Sequence, residues 1–418
     1  MRVRIHRGSG EIGGSCVEVE AASGARLLLD FGLPLDADMD EPVPLPAVSG
    51  VVEPDDTLLG ILISHPHLDH YGLALELPVE VPVYLGSEAD RLLQAAAFFS
   101  PQARGPRCAG HLADRTPFEL GPFTITPYLV DHSGFDAYSL LVEADGCRLF
   151  YTGDFRGHGR KAALFERLLR EPPDGIDVLL MEGTHVRGDG AHDEVAFETE
   201  SRLEDRFVEV CGQTDGAVVV FGSAQNLDRL VTVYRAARRS GRVCVVDLYG
   251  ATVASATRPT IPQPGFDGLR VYVPHRQRVR VKESGEFDRV ARIRNVRVFL
   301  EELAQMPERF VLYVPSSTAA ELVRAKVLTG RGLAVWSMWE GYLDEPSGVR
   351  LRELLAAAEV ELAQIHTSGH ASVSDLRRLV TALAPRRVVP IHSEAGHRFS
   401  ELFADVDLQS DGVWWEAA

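Results

Sequence analysis

Lysine is nearly missing from this 418-residue chain: of its 43 basic residues only Lys161, Lys282 and Lys326 are lysines. So lopsided a ratio reads as nucleotide bias, so arginine abundance alone does not point to a nucleic-acid partner. Acids outnumber bases, 60 to 43, for a formal charge of −17. That argues against a sequence-independent coat on nucleic acid, which draws its affinity from surplus cations, while leaving room for a local basic groove. Cysteine is sparse too. Cys16, Cys108, Cys147, Cys211 and Cys244 are odd in number, far apart and without a C-x-x-C pair, which excludes a disulfide framework and a paired-thiolate zinc site. Any metal is therefore expected on histidine and carboxylate. No apolar run reaches the ~20 residues that span a bilayer, and "MRVRIHRGSG" has neither an apolar core nor a cleavage site. The expectation is a cytoplasmic protein with no membrane partner.

The length is enough for two cored domains. The first 190 residues read as short strands and turns, with helices near 87–98 and 160–171. In "LLVEADGCRLFY" the Asp145-Gly146 pair sits between apolar runs, a strong hairpin signal. From about 193 the texture becomes helix and strand in alternation, as in a parallel-sheet α/β domain. The tail continues with βα units, "VELAQIHTS" and "RRVVPIHS" among them. The stretch from Leu33 to Asp56, with five prolines, reads as an extended surface loop.

The densest chemistry is "SHPHLDHYG", which sets His65, His67, Asp69 and His70 directly after the apolar run "LLGILI". Pro66 biases His65 away from helix, so the side chains at 65 and 67 project the same way and can reach one ion. Asp69 and His70, further along the turn, can face a second. Downstream, His132 in "LVDHSGF" and Asp154 in "LFYTGDFR" each fall at a strand end. Together these residues supply histidines for two ions and a carboxylate able to bridge them. Imidazole and carboxylate without thiolate suit zinc, with manganese left open.

With these motifs in this order the chain resembles the metallo-β-lactamase fold, and within it the beta-CASP nucleases of ribonuclease J type. "MEGTH" (Glu182), "HTSGHAS" (His370) and "PIHSE" (His392) are similar to that group's motifs A, B and C, and "GSAQNLDRL" and "SMWEGYL" resemble its inserted domain. The resemblance implies an α/β fold, a metallo-β-lactamase αββα sandwich at 1–194 and 346–418, interrupted by a parallel-sheet beta-CASP domain at 195–345, with substrate held in the cleft between.

Residue by residue, the resemblance implies two zinc ions: His65, His67 and His132 on one, Asp69, His70 and His392 on the other, Asp154 bridging. It implies hydrolysis of single-stranded RNA, exo- or endonucleolytic, with His370 as general acid, Glu182 orienting His370 or His392, and Asp69 within the catalytic set. Asp30 matches the family's first acid and reads as a support. The turn Ser368, Gly369, His370, Ala371 opens a helix, where backbone N–H groups can cradle a phosphate, with a plain helix cap at Ser368 or Ser372 as the alternative. Ser223, Gln225 and Asn226, after a strand of the inserted domain, are further phosphate contacts.

Between Arg270 and Arg297 nine basic residues face three acids, an RNA-tracking surface or a solvated face paired with acids elsewhere. The C-terminal assembly domain usual in the group has no counterpart before Ala418, so a homodimer stays open. A DNA nuclease, a small-molecule hydrolase of the same fold and a catalytically silent RNA-binding scaffold are the competing readings.

Overall fold

The computed structural model describes residues 1–37, 43–100, 104–190 and 193–417; part of the expected 33–56 loop therefore lies outside them. The chain forms two compact units: Met1–Asp90, Gly105–Phe197 and Gly369–Ala418 make the first, Arg91–Arg104 and Glu198–Ser368 the second.

In the first unit β1 (Arg2–Arg7), β2 (Cys16–Glu20), β3 (Arg26–Leu29), β4 (Leu58–Leu62), β5 (Val83–Gly86) and β6 (Cys108–Leu112) build one sheet, in that spatial order. β7 (Phe118–Leu120), β8 (Phe123–Val130), β9 (Ala137–Ala144), β10 (Cys147–Tyr151) and β11 (Val178–Glu182) build a second. Asp145 and Gly146, at φ of 54° and 74°, close the β9–β10 hairpin, the positive-φ pair that an Asp-Gly turn supplies. Side chains alternate across the second sheet. Leu140, Val142, Val178 and Leu180 enter the core shared with Leu27, Leu29 and Leu62 of the first sheet. Leu141, Leu179 and Met181 face the other way, onto helices Ala162–Arg170 and Val373–Leu383. A strand buried on both faces has to be apolar throughout, hence the unbroken "VLLM".

The second unit is a seven-stranded sheet. It comprises β12 (Val218–Phe221), β13 (Val243–Asp247), β14 (Leu269–Tyr272), β15 (Arg297–Val298), β16 (Phe310–Val314), β17 (Leu333–Trp336) and β18 (Glu361–Gln364), in the order β15-β14-β13-β16-β12-β17-β18. Every pairing in it is parallel. The chain then returns to the first unit, where β19 (Arg387–Ile391) pairs with β11 and β20 (Trp414–Glu416) with β1.

The return comes later than the expected residue 346. Helix Pro346–Ala357 and β18 form one more βα unit of the second sheet: β18 pairs in parallel with β17, and Leu351, Leu355 and Val360 join that unit's core. The crossing falls at Gly369. The outward crossing falls after Phe197, three residues past the expected boundary, and 91–104 also group with the second unit.

Candidate metal centre

Strand ends of both first-unit sheets carry the chemistry. β4 runs into Ser64, His65, Pro66 and His67, and His67 is still extended (φ −99°, ψ 143°) when it opens the short helix Leu68–Tyr71 that bears Asp69 and His70. β8 leads to His132, β10 to Asp154, β11 ends on Glu182, and β19 delivers His392. His392 lies in the left-handed region at φ 53°, its N–H donating to Gly8 O at 2.7 Å.

His65 Nε2 lies 3.1 Å from His67 Nδ1, and His132 Nε2 3.2 Å from the same atom. Zinc–nitrogen bonds of ~2.0–2.1 Å in a tetrahedron place their nitrogens roughly 3.3 Å apart, so these three are spaced as ligands of one ion. On the other side His70 Nε2 is 3.1 Å from Asp154 Oδ2 and 3.7 Å from Asp69 Oδ2, and His392 Nε2 is 3.4 Å from Asp69 Oδ2. Asp154 reaches both groups, its Oδ2 standing 3.6 Å from His65 Nε2. Both Asp154 carboxylate oxygens and His70 Nε2 are buried without a hydrogen-bond partner. Buried polar atoms are almost always satisfied; orphaned ones converging on a point are what a cation-binding centre requires.

The electrostatics agree. Burial, with the neighbouring imidazoles, holds His65 and His132 well below the ordinary histidine range, and His67 at about 4, so their lone pairs are free. His70 is the exception. Burial opposes its charge, but the carboxylates of Asp154, Asp30 and Asp69 push it well above the usual value. A carboxylate cluster that protonates a buried imidazole is one that calls for positive charge, and nitrogen and oxygen donors without sulfur fit zinc or manganese.

A second layer fixes the rings. Asp30 accepts from His70 Nδ1 at 2.7 Å, from Tyr151 OH at 2.6 Å and from both the N–H and the hydroxyl of Ser64, leaving His70 Nε2 to face the centre. Gly369 O accepts from His132 Nδ1 at 2.5 Å. Thr184 Oγ1 lies 2.9 Å from His392 Nδ1 and 3.2 Å from His370 Nδ1. Glu182 faces His370, Oε2 to Nδ1 3.3 Å, while its Oε1 accepts from the N–H groups of Phe155 and Ala371. Of the two histidines expected for Glu182, it meets His370. Burial disfavours the His370 cation, yet Glu182 and Asp154 together raise it to about 9.

Thr184 was not singled out from sequence, although it stands two places after Glu182 in "MEGTH". Nor was Gly32. A Cβ there would stand 1.7 Å from the backbone O of Asp69, so only glycine lets the strand carrying Asp30 pass the turn carrying Asp69.

The expected phosphate contacts have local partners. Ser372 caps helix Val373–Leu383 by accepting from Asp375 N, and the N–H of Ala371 goes to Glu182. Asn226 caps helix Leu227–Arg239 through Arg229 N, and Ser223 Oγ accepts from Gln225 N. Ser368 is the last residue of the second unit. Within the basic stretch, Arg278 pairs with Glu321 and Arg280 donates to Phe99 O, so part of that charge is already paired. Among the described residues no helix is long and apolar enough to cross a membrane.

Comparison with known proteins places these features in a class. Residues 36–219 match the beta-lactamase superfamily domain, and residues 358–404, which include His370 and His392, match the Zn-dependent metallo-hydrolase RNA specificity domain. Two stretches of the chain are thus similar to domains of metallo-hydrolases, one of them of the beta-lactamase superfamily. Over most of its length the chain is similar to curated ribonucleases J. It is 23% identical over 386 residues to Ribonuclease J of Sinorhizobium meliloti (88% of this chain, 63% of the relative). It is 22% identical over 410 residues to that of Helicobacter pylori strain B128 (93% and 55%). With Ribonuclease J of Mycobacterium tuberculosis H37Rv the figures are 26% over 410 residues (94% and 68%). The chain thus spans 63% and 55% of the length of the first two of these curated relatives. A crystal structure of a protein of unknown function from Enterococcus faecalis V583 shares the fold, with a TM-score of 0.78, 19% identity and 99% coverage of both chains.

Proposed function

We propose that this chain hydrolyses phosphodiester bonds of single-stranded RNA with two divalent ions, zinc by preference. In this reading His65, His67 and His132 hold one ion, Asp69, His70 and His392 the other, and Asp154 bridges them. The observation that carries it is the convergence of these donors on the orphaned oxygens of Asp154. When bound, such a pair supplies a water nucleophile active at neutral pH and stabilises charge on the phosphoryl oxygens.

The protein's own groups do the rest. Asp30, Thr184 and Gly369 O fix the ligand rings, so little reorganisation is needed as charge develops. His370, its side chain 23% exposed beside the centre, is held as imidazolium by Glu182 and gives its proton to the leaving oxygen as the P–O bond breaks. RNA as the substrate is supported by the ribonuclease J relatives and by the match of residues 358–404 to an RNA specificity domain.

The test is digestion of matched single-stranded RNA and DNA, end-labelled and bearing a 5′ mono- or triphosphate, with zinc or manganese. Cleavage of RNA that is lost in Asp69→Ala/His70→Ala while binding survives is the expected result, and the product ladder reads exo- or endonucleolytic mode. Preference for DNA, or no turnover of RNA at full metal occupancy, overturns the proposal.

A further inference from the structure

The centre described above contains no sulfur ligand, but a second cluster of metal-binding residue types does. Asp90, in the first turn of helix Ser87–Ala97, and Cys108 and His111 of β6 place ligand atoms within 4.8 Å of one another. His111 Nε2 lies 2.9 Å from Asp90 Oδ2. All three belong to the first unit.

Their convergence is unexpected on a strand, because residues three apart normally point to opposite faces. The pairing of β6 with β5 explains it. Val83 pairs with Cys108, Tyr84 with Gly110 and Leu85 with His111, so β6 spends one extra residue between the first two steps. Such a bulge reverses the alternation beyond it and re-aims side chains. Cys108 and His111 then share the face of Val83 and Leu85, whereas Gly110 falls beside Tyr84, whose ring a Cβ at 110 would meet at 2.9 Å. β6 is the edge strand of its sheet, and the three residues grade outward: Asp90 is buried, Cys108 half-buried and His111 exposed. A cation therefore has an open approach.

We propose that Asp90, Cys108 and His111 form a second, mononuclear site for a borderline-soft divalent ion such as zinc, with water as its fourth ligand, joining the start of the helix to the sheet edge. One carboxylate, one thiolate and one imidazole are each established zinc donors, and three protein ligands leave one position open. Without an ion, burial and the Asp90 carboxylate push the Cys108 thiol up to about 12. Binding therefore expels the thiol proton and tightens as pH rises.

The experiment uses the full chain and Co²⁺ as probe. A thiolate bound to cobalt gives a near-ultraviolet charge-transfer band, which the sulfur-free centre of His65 to His392 does not. The expected result is such a band, saturating when one cobalt ion per chain is bound beyond those held by the His65-to-His392 centre, displaced by Zn²⁺, stronger at pH 8 than at pH 6, and absent in Cys108→Ser. His111→Ala should weaken the binding at least tenfold. Retention by Cys108→Ser of the wild-type metal content at the main centre checks its fold. No band at saturating cobalt, or a band that survives Cys108→Ser, overturns the proposal.

Discussion

Asp30 accepts a hydrogen bond from His70 Nδ1 at 2.7 Å, so the ring presents Nε2 to Asp154 3.1 Å away. One carboxylate thus sets the direction of a ring that, in the proposed centre, binds metal through its other nitrogen. Asp30→Asn keeps the shape and removes the charge. Loss of such an outer partner typically costs 10–100-fold in metal affinity or activity. Metal content after dialysis against graded chelator, followed beside RNA cleavage, should show both falling together. Unchanged affinity would assign Asp30 to packing alone.

His370 and Glu182 should separate chemistry from metal binding. His370→Ala is expected to lower RNA cleavage by ~10²–10⁴ with bound metal unchanged. In the proposed role His370 acts as the cation, so activity is expected below its folded value and is lost as pH rises through it. That value is about 9 without ions, and cations beside the ring bring the alkaline limb to lower pH. Glu182→Gln removes the leading influence that raises it, so the limb should move to still lower pH. A pH–rate profile with an unmoved alkaline limb would break the link between the two residues.

Much of this was legible because the informative residue types are scarce and local. Four ligand-type residues in six positions after an apolar strand, and an Asp-Gly between apolar runs, need no long-range knowledge. What was not legible depends on approach in space. β18 has two half-buried residues between exposed ends, a pattern that does not say which sheet it joins, and so the chain's return was expected too early. Thr184 matters only because His392 arrives from β19 with its Nδ1 turned toward it. Cys108 and His111 come to share a face only because a one-residue bulge overrides the period of two.

Gly32 offers a test of that spatial layer. The nearest neighbour of an added Cβ is backbone, the Asp69 carbonyl at 1.7 Å, so no rotamer change can make room. Gly32→Ala should destabilise the first unit by roughly 1–3 kcal/mol or more and release metal, since the displaced turn carries Asp69 and His70. Urea unfolding and metal analysis of the purified variant measure both. A variant with wild-type metal content and midpoint would show that the two segments can part freely.

Metal removal should act on stability as well as activity. The buried carboxylates Asp30 and Asp154 and the partly buried Asp69 surround His70, and bound ions relieve their repulsion. A ligand at ~1,000 times its Kd adds about 4 kcal/mol. Chelated protein should therefore melt lower by calorimetry and recover with zinc, while Asp154→Ala should respond far less.

Asp247 ends β13 in the second unit and is 1% exposed. Burial pushes its carboxyl up to about 6, even though Oδ1 accepts from Gly250 N at 2.7 Å and Oδ2 from Gln277 Nε2 at 2.6 Å. Between its ordinary value of 3.8 and about 6 the folded state holds a proton that the unfolded state has released. Stability therefore falls as pH rises through that window, and the full penalty is present at pH 7. Asp247→Asn removes the charge but keeps the oxygen that caps the helix at Gly250. Its new N–H can donate to Gln277 Oε1, a buried atom without a partner, once that amide turns over. The substitution should stabilise the second unit by ~2–3 kcal/mol at pH 7 and by little at pH 4. Urea unfolding at the two pH values checks the sign: an equal gain at both, or a loss at pH 7, would mean that burial does not set the ionisation of this carboxyl.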